Sequence, residues 1–81
     1  MKIMVVIPMP SYAALLGRCQ IQSREYRMLK NGVVEKREGI EEVRLLCDSS
    51  EADMIVDFVT RVAPEHLPSI RQISVPPEGL D

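Results

Sequence analysis

Hydrophobic and polar positions along the first part of the chain predict a buried strand followed by a short helix. The run KIMVVIP, residues 2–8, is continuously apolar and rich in β-branched residues, which is typical of a strand buried on both faces and central in its sheet. After Pro10, Ser11 is a favourable N-cap and good helix formers continue to Leu16. Gly17 is expected to end this helix after about two turns.

The middle of the chain predicts a long β-hairpin. Residues 18–30 alternate in part between apolar and polar side chains, as a half-buried strand does. Asn31–Gly32 follows, and this pair favours a type I′ turn, in which both central residues need positive φ. The return strand is expected over residues 33–48. Its charged stretch EKREG, residues 35–39, predicts a tip that is solvated or paired with another subunit.

The last part of the chain predicts an amphipathic helix and a final strand. Ser49 or Ser50 is the expected N-cap, and Pro64 is expected to end the helix. One apolar stripe at helical spacing contains Ile55, Phe58, Val59 and Val62. Residues 69–77 then read as a strand that two consecutive prolines stop.

This order of elements predicts an α+β fold, the ferredoxin-like split β-α-β arrangement (βαββαβ), with a four-stranded antiparallel sheet and two helices on one face. Residues 1–81 would form a single domain. The opposite sheet face would have no cover in a monomer, so its apolar residues must be few or pack on another subunit. Aromatic residues make up only 4% of this short chain, and a thin aliphatic core also favours oligomerisation.

Charge and cysteine content exclude several classes of function. The net charge is −2, and the 10 basic and 12 acidic residues are interspersed, which gives no basic face for nucleic acid or for a membrane. The central strands also lack the aromatics on which RNA-binding sheets stack bases.

No secretory or membrane-spanning segment is recognisable, so we expect a cytoplasmic protein. Cys19 and Cys47 are then small buried hydrophobes in a reduced protein.

Motifs that carry catalysis are scarce. The four glycines form no phosphate-binding loop, and no nucleophile elbow or cysteine–histidine metal spacing occurs. One pair stands out in PEHLP, where Glu65 precedes His66, the only histidine, because such a pair can transfer protons near neutral pH. His66 lies between two prolines, however, which favours an exposed corner residue over a catalyst. We therefore expect no enzymatic activity.

Residues 26–79, from YRMLKNGVVEKREG to VPPEG, resemble the second half of the CutA divalent-cation tolerance family, within the wider PII-like superfamily. The positions that carry the resemblance are Tyr26 as the strand aromatic, Glu41 or Glu42 as the acidic residue before VRLLC, and Pro64, Pro68 and Ile70 at the corner. The corner differs, because Ala63 and Glu65 stand where the family has histidine and tyrosine.

The resemblance implies a tight homo-oligomer, with a trimer favoured, whose sheets face inward and whose ligands, metal ions or nucleotides, lie in clefts between subunits. The expected function is then regulatory: binding of a small ligand or ion at subunit clefts, passed on to a possible protein partner. Arg37 is the candidate for an anion, and Glu38, Glu41, Glu65 and His66 are candidates for a cation. The residues leave the ligand, metal and cofactor unspecified.

Three other interpretations remain open at the level of sequence. The first is a protein–protein interaction module of the same fold with no small-molecule ligand. The second is an amino-acid-binding regulatory domain of the ACT type, although PMPSYAALLG lacks the glycine usual between its first strand and helix. The third is a small enzyme that uses Glu65 and His66 together with a polar group from another subunit.

Overall fold

The computed structural model describes residues 2–76. Its strands are β1 (Lys2–Pro8), β2 (Val33–Arg37), β3 (Ile40–Cys47) and β4 (Arg71–Val75). Its helices are α1 (Met9–Arg18), α2 (Arg24–Lys30), α3 (Ser49–Val62) and a 3₁₀ helix (Pro64–Ser69). Pro77, the second proline expected to stop the last strand, lies outside the described residues, as does the end of the stretch that carries the family resemblance.

The four strands form one antiparallel sheet in the order β2-β3-β1-β4. β1 pairs with β3 on one side and with β4 on the other, which confirms that KIMVVIP is a central strand. Val5, Val6 and Ile7 have no solvent exposure, as expected for a strand buried on both faces. The fold is therefore α+β with a four-stranded antiparallel sheet.

The hydrophobic core lies between one face of this sheet and the helices. Its fully or nearly fully buried members are Val5, Ile7, Leu15, Leu29, Leu45, Cys47, Ala52, Ile55, Phe58, Val59 and Ala63. β1 contributes alternate residues, because successive strand side chains point to opposite faces. All three α-helices contribute, one more than the two that the sequence predicts.

The additional helix corrects the prediction that residues 18–30 form a strand. α1 extends through Arg18, and α2 occupies Arg24–Lys30. The side chain of Ser23 caps α2 by accepting a hydrogen bond from the Tyr26 backbone N–H at 3.1 Å. Leu29 is buried and packs this short helix on the core. This tertiary contact favours the helix over the strand that the partial alternation of the segment predicts.

The hairpin turn is also not where the sequence predicts it. Asn31 is the C-cap of α2, so Asn31–Gly32 ends a helix instead of joining two strands. The two-residue loop between β2 and β3 is Glu38–Gly39, with φ values of 55° and 82°. Positive φ at both positions is the requirement of a type I′ turn, met here without asparagine or aspartate.

The other helices agree with the prediction in place but differ in their ends. α1 begins at Met9 and runs past Gly17, so it is longer than the expected two turns. α3 ends at Val62 before Pro64, as expected, but its N-cap is Asp48 rather than a serine. Asp48 accepts a hydrogen bond from the Glu51 N–H at 2.9 Å, and Glu51 accepts one from the Asp48 N–H at 3.0 Å. This is a complete capping box.

Replacing Asp48 with alanine is expected to lower the Tm by about 5 °C at pH 7, because the first turn of α3 loses its cap. The hydrogen bond from the Glu51 backbone N–H lowers the pKa of the Asp48 carboxyl. A lowered folded-state pKa means that the ionised cap stabilises the protein above the unfolded pKa, about 3.9, and that this contribution is lost as the pH falls through the folded value. Thermal unfolding followed by circular dichroism should therefore give a smaller Tm difference between the wild type and Asp48→Ala at pH 3 than at pH 7.

The matched control is Asp53→Ala, one turn further along α3, where the carboxylate is exposed. Its Tm is expected to change by no more than about 1–2 °C, as for an ordinary surface substitution. An equal loss in both variants would mean that acidic charge, and not the cap, stabilises the helix.

Candidate functional site

The second face of the sheet has no helix over it. Residues paired directly across antiparallel strands point to the same face. The pairs Met4–Leu46, Met4–Ile73 and Val33–Arg44 therefore share the face opposite the Val5 side. We call this surface the open face. It contains two neighbouring regions of different character.

The first region is an apolar patch, made of Met4, Val33, Leu46 and Ile73. Val33, Leu46 and Ile73 are exposed by 63%, 51% and 45%. Met4 lies between Leu46 and Ile73 across the two strand pairs. Four large apolar side chains therefore meet on a sheet surface that no other part of residues 2–76 covers.

The second region is a charged hollow of about 230 Å³ next to the β2–β3 turn. Its lining residues are Glu35, Arg37, Glu38, Ile40, Glu42, Arg44 and Arg71. The three arginines and three glutamates balance in formal charge. A further hollow of about 380 Å³ shares Glu35 and Arg44 with it and extends over the apolar patch. The two regions are thus continuous.

Ion pairs between strands organise the charged hollow. Arg71 Nη2 donates to Glu42 Oε2 at 2.6 Å, joining β4 to β3. Arg44 Nε lies 2.5 Å from Glu35 Oε2, joining β3 to β2. The Arg44 Nε–H is shielded from solvent yet has no well-aligned hydrogen-bond acceptor among the described residues, so this contact is an ion pair of poor geometry.

The two arginines also explain a buried valine on the open face. Val6 pairs with Arg44 on β3 and with Arg71 on β4, and it has no exposure. Long arginine stems can cover apolar neighbours while their charged ends stay in water. The charged half of the open face is therefore covered by its own side chains, whereas the apolar patch is not.

Of the residues that the sequence predicts as ligand-binding, two meet in this hollow. Arg37 ends β2 and Glu38 occupies the turn, and both line it. Glu41 pairs with Lys36, one position out of phase with Glu42, and so belongs to the opposite sheet face. It does not join the other two.

The corner residues Glu65 and His66 lie on the 3₁₀ helix and contact opposite ends of α1. His66 Nδ1 is 3.0 Å from the Oγ of Ser11, a buried residue in the first turn. Glu65 Oε2 accepts a hydrogen bond from Arg18 Nη2 at 3.2 Å, in the last turn. His66 is half-buried, which corrects the expectation of an exposed residue. The two side chains thus have different hydrogen-bond partners.

The electrostatics of these groups are modest. A hydrogen bond from its own backbone N–H, aided by Arg18, lowers the pKa of Glu65 and keeps it ionised. Burial raises the pKa of the Cys19 and Cys47 thiols, and both cysteines are free. A raised pKa keeps a thiol protonated and less nucleophilic at neutral pH, and Cys47 is in addition buried in the core.

Sequence reasoning misses most of the hollow. Five lining residues are not among the predicted ligand-binding residues: Glu35, Ile40, Glu42, Arg44 and Arg71. The alternation of Ile40, Glu42, Arg44 and Leu46 along β3 is a period-2 signal that assigns them to one face. This signal identifies the hollow only when the β2–β3 turn is placed correctly, because a shifted turn changes which residues of β2 lie opposite these residues of β3.

Residues 2–76 contain neither a metal-binding cluster nor a membrane-spanning helix. Within residues 2–76, no group of three or more His, Cys, Asp or Glu side chains is arranged to hold a metal ion. The candidate cation ligands Glu38, Glu41, Glu65 and His66 therefore do not assemble into such a group. Over the same residues, no helix is both long and apolar enough to cross a bilayer.

Comparisons of the chain with protein-family models, with curated proteins and with solved structures found no match.

Proposed function

We propose that this protein is a non-enzymatic, PII/CutA-like homo-oligomer that binds a small ligand beside its subunit contacts, with a trimer as the favoured assembly. The observation that carries the proposal is the apolar patch on a sheet face that lacks helices. The strand order β2-β3-β1-β4 is consistent with a ferredoxin-like layout, which the family resemblance also implies.

A second copy of this chain is the best occupant of the patch. Clustered apolar side chains on a sheet surface are typical of interaction sites. The region beside the patch carries three arginines and three glutamates, so each copy offers both signs of charge to another copy. A surface of mixed sign with no net charge does not repel another copy, whereas a surface of one sign would.

The contacts of the corner residues favour a structural role over catalysis. The Glu65 carboxylate pairs with Arg18, and the His66 ring contacts Ser11. General acid–base catalysis needs both groups within reach of one substrate. Here each has a partner at a different end of α1, which favours a structural role in fixing the corner to that helix.

The solution mass, measured by light scattering on a size-exclusion peak at micromolar protein, tests the proposal. We expect three times the mass of the 9.2 kDa chain. Leu46→Glu should reduce the mass to that of one chain, because it would bury unpaired carboxylates in the interface. Ile73→Lys should do the same, while circular dichroism remains that of the folded wild type.

The matched control is Ile21→Glu. Ile21 is 78% exposed and lies between α1 and α2, away from the sheet, so this variant should keep the wild-type mass. A monomeric wild-type protein would contradict the proposal and would favour an interaction module that binds a different protein partner. An oligomer unaffected by Leu46→Glu and Ile73→Lys would contradict the assignment of the interface to the open face.

A further inference from the structure

The charged hollow has a balance of charge that restricts its ligand. Its three arginines and three glutamates cancel in formal charge. Such a site has no long-range preference for a simple anion or a simple cation. It can satisfy a ligand that carries both charges, because each end of that ligand meets the opposite sign.

Two of the charged side chains are available for a ligand. Arg71 and Arg44 pair with Glu42 and Glu35. Arg37 is 76% exposed, and its nearest carboxylate oxygen, on Glu35, is 4.0 Å away. The exposed Glu38 has no ion-pair partner among the described residues. Arg37 and Glu38 are adjacent in the chain at the turn, so one weakly paired cation and one carboxylate outside any ion pair of residues 2–76 line the same hollow.

The hollow also offers an apolar contact. Ile40 lines it and is 62% exposed, on the same face as the charged groups.

We propose that the charged hollow binds a small zwitterion, an α-amino acid with an aliphatic side chain. Its carboxylate would contact the Arg37 guanidinium, its ammonium group Glu38, and its side chain Ile40. A guanidinium can hold a carboxylate through two parallel hydrogen bonds, which gives the contact a direction. This inference rests on the proposed function, because it specifies the ligand class of the binding site.

The test is a titration of the full chain followed by ¹H–¹⁵N NMR, with L-leucine as the probe. Two analogues are matched controls: 3-methylbutylamine lacks the carboxylate, and 4-methylpentanoate lacks the ammonium group. We expect saturable shifts at the β2–β3 turn with leucine and binding at least about tenfold weaker with either analogue, since each lacks one of the two charged groups that contact the protein.

Variants assign the binding to the hollow. Arg37→Gln should weaken leucine binding about tenfold and abolish the preference for leucine over the amine. Lys36→Gln, on the neighbouring residue that belongs to the opposite sheet face, should leave binding unchanged. Equal binding of leucine and either analogue would overturn the inference, and so would wild-type affinity in Arg37→Gln.

Failure of this inference is distinguishable from failure of the proposed assembly. The hollow is formed within one chain, so leucine should still shift the turn resonances in Leu46→Glu. Leucine binding to a monomeric wild type would support the ligand class and contradict the oligomer. An oligomer of the expected mass whose turn resonances do not respond to leucine would overturn the ligand class alone.

Discussion

Gly32→Ala is expected to destabilise the protein by about 1–3 kcal/mol, because no space exists for a methyl group at this position. A Cβ atom there would overlap Val43 Cγ1. It would also lie 3.2 Å from the Leu29 carbonyl oxygen and 3.2 Å from Leu45 Cδ2. The φ of Gly32 is not positive, so this glycine is needed for close packing of α2 on β3 and not for a left-handed turn.

The neighbours of Gly32 cannot move away at low cost. Val43 has no exposure and Leu45 is nearly buried, so both are held by core packing. The Leu29 carbonyl oxygen accepts hydrogen bonds from the Gly32 N–H at 3.1 Å and from the Tyr12 hydroxyl at 2.6 Å. A shift of the backbone here would therefore disturb the contact between α1 and α2 as well.

Urea unfolding at a fixed protein concentration measures this loss, and Gly17→Ala is its matched control. Gly17 lies in α1, and a methyl group added to it would have no atom within 4 Å, so alanine should stabilise the protein by up to about 1 kcal/mol through its helix propensity. If Asn31–Gly32 were a type I′ hairpin turn, the cost of alanine would instead come from backbone strain at positive φ. Equal behaviour of the two variants would contradict the close packing at Gly32.

The position of Gly32 also explains why the sequence predicts the hairpin in the wrong place. Asn-Gly is a signal for a type I′ turn, but it is equally a signal for the end of a helix. The choice depends on the preceding segment, where Ser23 as a cap and the helix formers of REYRMLK favour a helix. At the true turn, Glu38 adopts a positive φ that its residue type does not indicate.

Elements with a strong local pattern were predictable, and the site was not. The continuous apolar run of β1 and the apolar stripe of α3 each identify their element without tertiary information. The charged hollow depends on the pairing of β2 with β3 and also on the pairing of β4 with β1, two strands that are distant in sequence. Arg37 and Glu38 were predictable as charges at a hairpin tip, but Arg71 reaches them only through the complete sheet.

Leu15→Ala is expected to destabilise the protein by about 2–5 kcal/mol, a large part of the total stability of a domain of this size. Leu15 has no exposure and belongs to the core cluster between the sheet and the three helices. Truncation removes buried apolar surface and leaves a cavity that the surrounding side chains fill only in part. α1 connects β1 to the rest of the fold, so this loss also measures how firmly α1 is packed.

The matched control is Leu16→Ala, the same change at the next position of α1, where the side chain is half-buried. Helical geometry turns adjacent residues about 100° apart, so only Leu15 should point fully into the core. We expect a loss of about 1–2 kcal/mol at Leu16, from its smaller buried surface. Urea unfolding of both variants measures the two losses in the free energy of unfolding. Equal losses would contradict a helix over residues 9–18 that points Leu15 into the core. The crossover from β1 to the rest of the β2-β3-β1-β4 sheet would then not be helical.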